Sequence, residues 1–265
     1  MRDFAEQEDG MKRIGILGVG ELSEKIVAGI FKHNHLARVY LSPRNFDRAQ
    51  RLASEFPCEI MPDNQAVVDK SEIVIIGVRP ESLDELSREV TFSSEQLVVS
   101  LVAGYSLSDT QQLFGHQNCV RAMLNYAAEV NSSTVIMAPK NADAEALFAP
   151  LGDLVALNTE AEYQVATVSM CMNGWYYFLA SQMQSWLEKQ GLESHDARAL
   201  VLGNLRDCAA YAGEHPDWSL EDLGKSISTP GTFTEQGRHF LQNAGAFEAW
   251  QNASDDVLNQ LRKKR

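Results

Sequence analysis

The sequence predicts an α/β fold: a doubly wound, mostly parallel sheet followed by an all-α domain. Three observations carry that reading. Short apolar runs alternate with helical patterns as far as Asn158. A glycine-rich turn, Gly18-x-Gly20-x-x-Ser23, joins the first apolar run to the first helical pattern. After Asn158 no strand pattern recurs. The expected parts are a flexible tail over 1–10, a sheet domain over 11–158 and a helical domain over 159–265.

The first element is the strand within "KRIGILGVGELSEKIVAGIF" (Lys12 to Phe31), followed by a helix with Leu22, Ile26, Val27, Ile30 and Phe31 at three- and four-residue spacing. In a Rossmann-type turn the first glycine permits the tight bend, the second lets a pyrophosphate approach the backbone, and the third position must be small. Gly18, Gly20 and Ser23 satisfy these demands, and Glu21 and Leu22 complete the turn. An ordinary strand-to-helix turn would share the spacing. The strand before it and helix after it favour a dinucleotide site.

The second strand, Val39-Tyr40-Leu41, is where a ribose reader belongs, about 20 residues on. No Asp or Glu stands at its end. Ser42 and Arg44 stand there instead. A hydroxyl and a guanidinium suit a 2′-phosphate, which favours NADP over NAD. The competing reading is a solvated turn with Asn45 capping the next helix. Further strands are expected in Glu72 to Pro80, Gln96 to Ser106, Asn118 to Leu124, Ser133 to Ala138 and Leu154 to Leu157, with a helix over Asp143 to Gly152. Ser108 and Gln111 fit a capping box. Ligands bind beyond the carboxyl ends of such strands, where Arg79, Gly104 and Asn125 fall.

Composition excludes some functions. The 265 residues are 45% hydrophobic, enough for a sizeable core, and carry a net charge of −13, which disfavours nucleic-acid binding. Cys58, Cys119, Cys171 and Cys208 are far apart, and the opening residues lack an apolar leader. This pattern reads as reduced, mostly buried thiols in a cytoplasmic protein. No metal-ligand spacing is present.

In the helical half, Thr159 and Glu162 can cap a long helix running to about Lys189. No charged residue occurs from Val165 to Leu187, but the run contains Thr167, Asn173, Gln182 and Gln184. It reads as a buried helix in a subunit interface rather than a membrane span. Helices follow over roughly Ser194 to Gly213, then a third after "HPDWS", a fourth opened by "SISTPGTFTEQG" and a last from Ala246. In the fourth, Thr232 and Glu235 fit a capping box, and a helix N-terminus beside hydroxyls also favours an anion.

Over nearly its whole length the chain resembles the pyrroline-5-carboxylate reductase family. "GILGVGELSEKI" looks like that family's opening turn, and "PDNQAV" like its Asp-Asn segment, which implies Asn64 near the adenosine ribose. "IIGVRPE" resembles its Val-Lys-Pro loop, bringing Val78, Arg79 and Pro80 to the cofactor. "SLVAGYS" resembles its Ala-Ala-Gly strand end, with Ala103 and Gly104. "RAMLNYA" aligns Asn125 with the Asn beside the nicotinamide. "ISTPGTFT" resembles the loop that holds the substrate carboxylate, which implies Gly231, Thr232 and Thr234 as substrate residues and Thr234 as the catalytic hydroxyl near the imine nitrogen. The family's Ser-Gly-Ser-Gly-Pro-Ala-Tyr segment aligns with "MCMNGWY" (Met170 to Tyr176), of which Tyr176 alone is kept. Met172 and Trp175 there replace small residues.

The resemblance implies an NADPH-dependent reductase of a cyclic imine carboxylate, acting as a homodimer or larger homo-oligomer. A reductase of another imine or carbonyl compound, and a non-catalytic NADP-binding sensor, are the alternatives. The β-hydroxyacid dehydrogenases share the two-domain plan but resemble one another in a catalytic Lys, and no Lys occurs here between Lys140 and Lys189.

Overall fold

The structure, a computed structural model, describes residues 12–263. The tail expected over 1–10 lies outside them. Eight strands form one sheet: β1 (Ile14–Leu17), β2 (Val39–Leu41), β3 (Cys58–Ile60), β4 (Ile73–Ile76), β5 (Leu97–Ser100), β6 (Cys119–Leu124), β7 (Ser133–Ala138) and β8 (Gly152–Ala156). Their order is β3-β2-β1-β4-β5-β6-β7-β8. Neighbours are parallel except β6 and β7, which pair antiparallel with Met123 opposite Ile136.

Parallel strands covered on both faces read as continuous apolar runs. Successive residues here serve opposite layers. Ile14, Ile16, Val39, Leu41, Ile73 and Ile75 pack with Ile26, Val27 and Ile30 of α1 (Glu21–His33) and Ala49 and Leu52 of α2 (Phe46–Glu55). Leu17, Val74, Ile76 and Val98 pack on the other face with Val67 and Val68 of α3 (Asn64–Lys70) and Leu83 and Leu86 of α4 (Leu83–Glu89). Full burial of each such side chain is worth about 1.5–3 kcal/mol. Burial also pushes the Cys58 thiol up to about 12 and that of Cys119 to about 11, so both stay protonated near neutral pH.

Three local expectations need correction. β3 gave no sequence signal, because it is a three-residue edge strand with Cys58 and Ile60 only half-buried and Glu59 exposed. It is specified by its register against Val39–Leu41. The strand expected over Gln96 to Ser106 ends at Ser100, and Ala103 and Gly104 lie in the loop beyond it. The capping box at α5 (Leu107–Phe114) uses Ser106 and Asp109, not Ser108 and Gln111. Ser106 has the extended backbone an N-cap needs, and its Oγ accepts from Asp109 N at 3.0 Å. Gln111 instead donates to Gln117 O. After α6 (Ala142–Phe148), Pro150 falls in a 3-10 turn, Ala149–Leu151, that leads into β8.

The chain forms two compact units, one of residues up to Met170 with those from Gln260 onward, the other Cys171–Asn259. α7 (Glu160–Lys189) contributes its first turns to the former and the rest to the latter. Its start is capped as the sequence predicts: Thr159 Oγ1 accepts from Glu162 N at 3.2 Å, and the Glu162 carboxylate accepts from the amides of Asn158 and Thr159. These amide bonds hold the Glu162 carboxyl below its usual range. The remaining helices are α8 (Ser194–Glu214), α9 (Leu220–Ile227), α10 (Phe233–Asn243) and α11 (Ala246–Lys263). Among the described residues no helix is long and apolar enough to cross a membrane.

Candidate active site

Gly18 closes β1 with φ +94°, in the left-handed region. A Cβ there would also meet Val78 N at 2.8 Å, so glycine is required twice over. Ser23 is buried, and its hydroxyl donates to Gly18 O at 2.8 Å, which ties the first turn of α1 back to the glycine. Gly20 is the N-cap of α1 and supplies no side-chain cap. The opening amides of α1, at Glu21 and Leu22, are therefore left for an anion. This cradle fits a dinucleotide pyrophosphate. The Tyr126 hydroxyl is hydrogen-bonded to the Glu21 carboxylate beside it, which raises the phenol above its usual value.

At the end of β2, Ser42 is buried and its Oγ accepts from Gly18 N at 3.0 Å. The hydroxyl read from sequence as a phosphate ligand thus braces the glycine turn. Arg44 is exposed and pairs with Glu85 at 2.7 Å. Asn45 occupies the N-cap position of α2, but its Nδ2 donates to Val19 O and makes no cap. Asn64 opens α3 behind an Asp63 cap and donates through Nδ2 to Glu89.

The strand ends bring the next group together. Val78, Arg79 and Pro80 follow β4, with Arg79 as the N-cap of a 3-10 turn, Pro80–Ser82. Ala103 and Gly104 are exposed beyond β5. Asn125 follows β6, its Oδ1 accepting from Ala127 N at 2.9 Å, which starts the 3-10 turn Tyr126–Val130. Gly104, Ser106, Arg121, Met123 and Thr167 line a small cleft nearby. Arg121 is buried there, paired with Glu160 and lying 4.4 Å over the Tyr163 ring. This cluster pins β6, which leads into Asn125, to the first turns of α7. It was missed from sequence because Arg121 lies 39 and 42 positions before its partners Glu160 and Tyr163, and no local pattern joins it to them.

In the second unit, the loop before α10 does several jobs at once. Gly231 turns it with φ +85°. Thr232 is the N-cap, its Oγ1 accepting from Glu235 N at 3.2 Å and donating to Thr229 O at 2.7 Å. Glu235 reaches back one residue further than the usual capping box and accepts from Gly231 N at 2.8 Å. Thr232 N is taken by Thr229 O. Of the amides from Gly231 to Thr234, those of Phe233 and Thr234 are left without a partner among the described residues. The Thr234 hydroxyl, exposed on the first turn, is also unpartnered among them. Ser228, buried beside this loop, has an Oγ with no hydrogen bond. Tyr176 stacks on Trp250 at 5.4 Å, and Trp175 meets the same ring edge-on at 5.7 Å. Trp250 gave no signal in sequence, because its partners lie on a different helix.

An open, mostly parallel sheet with an uncapped glycine turn at its switch point defines a dinucleotide-binding fold. Comparison with known proteins agrees and narrows it. Residues 13–104 match the family described as NADP oxidoreductase coenzyme F420-dependent, and residues 160–264 match the pyrroline-5-carboxylate reductase dimerisation family. The chain is 28% identical to pyrroline-5-carboxylate reductase 2 of Bacillus subtilis over 90% of both chains. It is 28% identical to pyrroline-5-carboxylate reductase of Methanosarcina acetivorans, covering 91% of this chain and 94% of that one. The fold matches that of Plasmodium falciparum pyrroline carboxylate reductase, solved with NADP bound, at a TM-score of 0.82 and 19% identity, over 96% of this chain and 99% of the other. The chain thus matches the pyrroline-5-carboxylate reductase dimerisation family over its helical half and is similar to pyrroline-5-carboxylate reductases over nine-tenths of its length.

Proposed function

We propose that this protein is a cytoplasmic, homodimeric, NADPH-dependent reductase of a cyclic imine carboxylate, with pyrroline-5-carboxylate as the parent substrate and proline as its product. The observation that carries the reading is the division of work between two threonines. Thr232 is consumed in capping α10, whereas the Thr234 hydroxyl stands on the same turn without a partner.

Bound NADPH supplies the hydride. The chain's own residues do the rest. The α1 amides and the cradle at Gly18 and Gly20 hold the pyrophosphate, while Arg44 reads the 2′-phosphate. Val78, Arg79, Pro80, Ala103 and Gly104 border the cofactor at the strand ends. With Asn125 Oδ1 committed to its turn, the Asn125 Nδ2 is the group left for the nicotinamide amide. The amides of Phe233 and Thr234 hold the substrate carboxylate. As hydride adds to the imine carbon, the nitrogen gains electron density and a proton. The Thr234 hydroxyl would relay that proton, passing its own to the nitrogen as it takes one from water. Tyr176 forms part of the pocket wall.

A second reading has its own observations. The Glu235 carboxylate already occupies the Gly231 amide, and Trp175 stands where the family has a small residue. Both favour an imine or carbonyl substrate without a carboxylate. The test is NADPH oxidation with pyrroline-5-carboxylate and with carboxylate-free 1-pyrroline. Preferred turnover of the carboxylate supports the first reading, and preferred turnover of 1-pyrroline supports the second. NADPH binding without oxidation of any cyclic imine would leave a sensor and contradict both.

A further inference from the structure

The guanidinium at the end of β2 does not stand alone. Arg44 Nη2 lies 2.7 Å from Glu85 Oε2. Glu85 sits in the first turn of α4, shortly after the Val78–Pro80 loop. The next arginines along α2, Arg48 and Arg51, both pair with Glu24. Ser42, which could have shared a phosphate, is buried against Gly18. A 2′-phosphate arriving at this strand end therefore meets a basic group that already holds a carboxylate.

We propose that Glu85 is a cofactor-specificity residue: it competes with the ribose 2′-phosphate for Arg44 and lowers the preference for NADPH over NADH. The inference rests on the reading of Arg44 as the 2′-phosphate ligand. A phosphate carries about −1.5 to −2 charge at neutral pH and displaces a single carboxylate from a guanidinium. The displaced Glu85 remains on a helix turn within a Debye length of the phosphate, and like charges there oppose binding. The uncharged 2′-hydroxyl of NADH meets no such opposition. Both partners are about half exposed, so the effect is that of a solvated pair and amounts to a factor of about two to five.

The experiment is a fluorescence titration of NADPH and NADH against four proteins: the unmodified chain, Glu85→Gln, Arg44→Ala and the double variant. Arg44 and Glu85 are both exposed, and Gln keeps the helix start. Glu85→Gln should bind NADPH about two- to fivefold more tightly with NADH unchanged, and the gain should vanish in the Arg44→Ala background and shrink at 1 M salt. An unchanged or weaker NADPH affinity overturns the inference. So does an equal gain in the Arg44→Ala background, which would be a general charge effect. The underlying NADP reading is scored separately. If the unmodified chain shows no preference but Glu85→Gln creates one, Glu85 masks Arg44 as inferred. If neither protein discriminates, both ideas fall.

Discussion

In the N-terminal unit the side chains of the central strands β1, β4 and β5 are buried on both faces of the sheet, and Ile16, Leu41, Ile75 and Val99 have no accessible surface. In the helices after Met170 the balance is reversed. Phe178 is 75% exposed, Tyr177 66%, Trp186 58% and Phe240 74%. Of α8 only Ala197 is buried, and α9, α10 and α11 have no buried residue. An apolar groove runs between α7 and α8, lined by Leu179, Met183, Trp186, Val201 and Leu205. The first unit completes its core within one chain, whereas the second carries apolar surface that a lone chain leaves wet. Single exposed hydrophobics are ordinary, but a face of this extent marks an interaction surface.

The largest expected effect follows from that difference. The unmodified protein should scatter light as two or more chains at micromolar concentration. Adding charge with Phe178→Glu and Trp186→Glu together should reduce it to single chains, because a stable interface of about 1,000 Å² or more tolerates no unpaired charge in its centre. NADPH affinity, a property of the first unit, should change little. A stable monomer in the unmodified protein would break the contrast between the two units.

Next in size is the cofactor preference. Arg44→Ala should lose most of the discrimination between NADPH and NADH, about 1.5–3 kcal/mol for a charge-assisted contact. Equal Kd values for the two cofactors in both the unmodified chain and Glu85→Gln would remove Arg44 from that role.

A smaller effect is expected at Glu235. Glu235→Gln keeps a capping acceptor for the Gly231 amide but removes a negative charge next to the proposed carboxylate cradle. KM for pyrroline-5-carboxylate should fall a few-fold with kcat unchanged, as expected for about 0.2–1 kcal/mol of relieved repulsion between solvated charges. An unchanged KM would show that substrate and Glu235 do not share the loop.

What was legible in the sequence was local in character. The glycine turn, the Thr159–Glu162 and Thr232–Glu235 caps and the apolar periods of β1, β4 and β5 are each specified within a few residues, and the structure keeps them. Features set by distant partners were not legible. β3 exists because Leu41 and its neighbours offer an edge, and Ser42 is turned inward by an amide 24 positions earlier. The Arg44–Glu85 pair and the Arg121–Glu160–Tyr163 cluster are likewise products of the packed sheet. At α5 the sequence offered two hydroxyls two residues apart, and backbone extension at Ser106 decided between them.

The central claim is that one loop in the second unit builds a helix with Thr232 and performs chemistry with Thr234. The most direct test is a paired measurement of kcat and unfolding free energy for Thr234→Ala and Thr232→Ala, on whichever cyclic imine the enzyme accepts with NADPH. Thr234→Ala should lower kcat on the order of 10²-fold with little change in KM or stability. Thr232→Ala should instead cost about 1 kcal/mol of stability and retain most of its turnover. A Thr234→Ala enzyme with full kcat, or a Thr232→Ala enzyme that loses as much turnover as Thr234→Ala, would contradict the account.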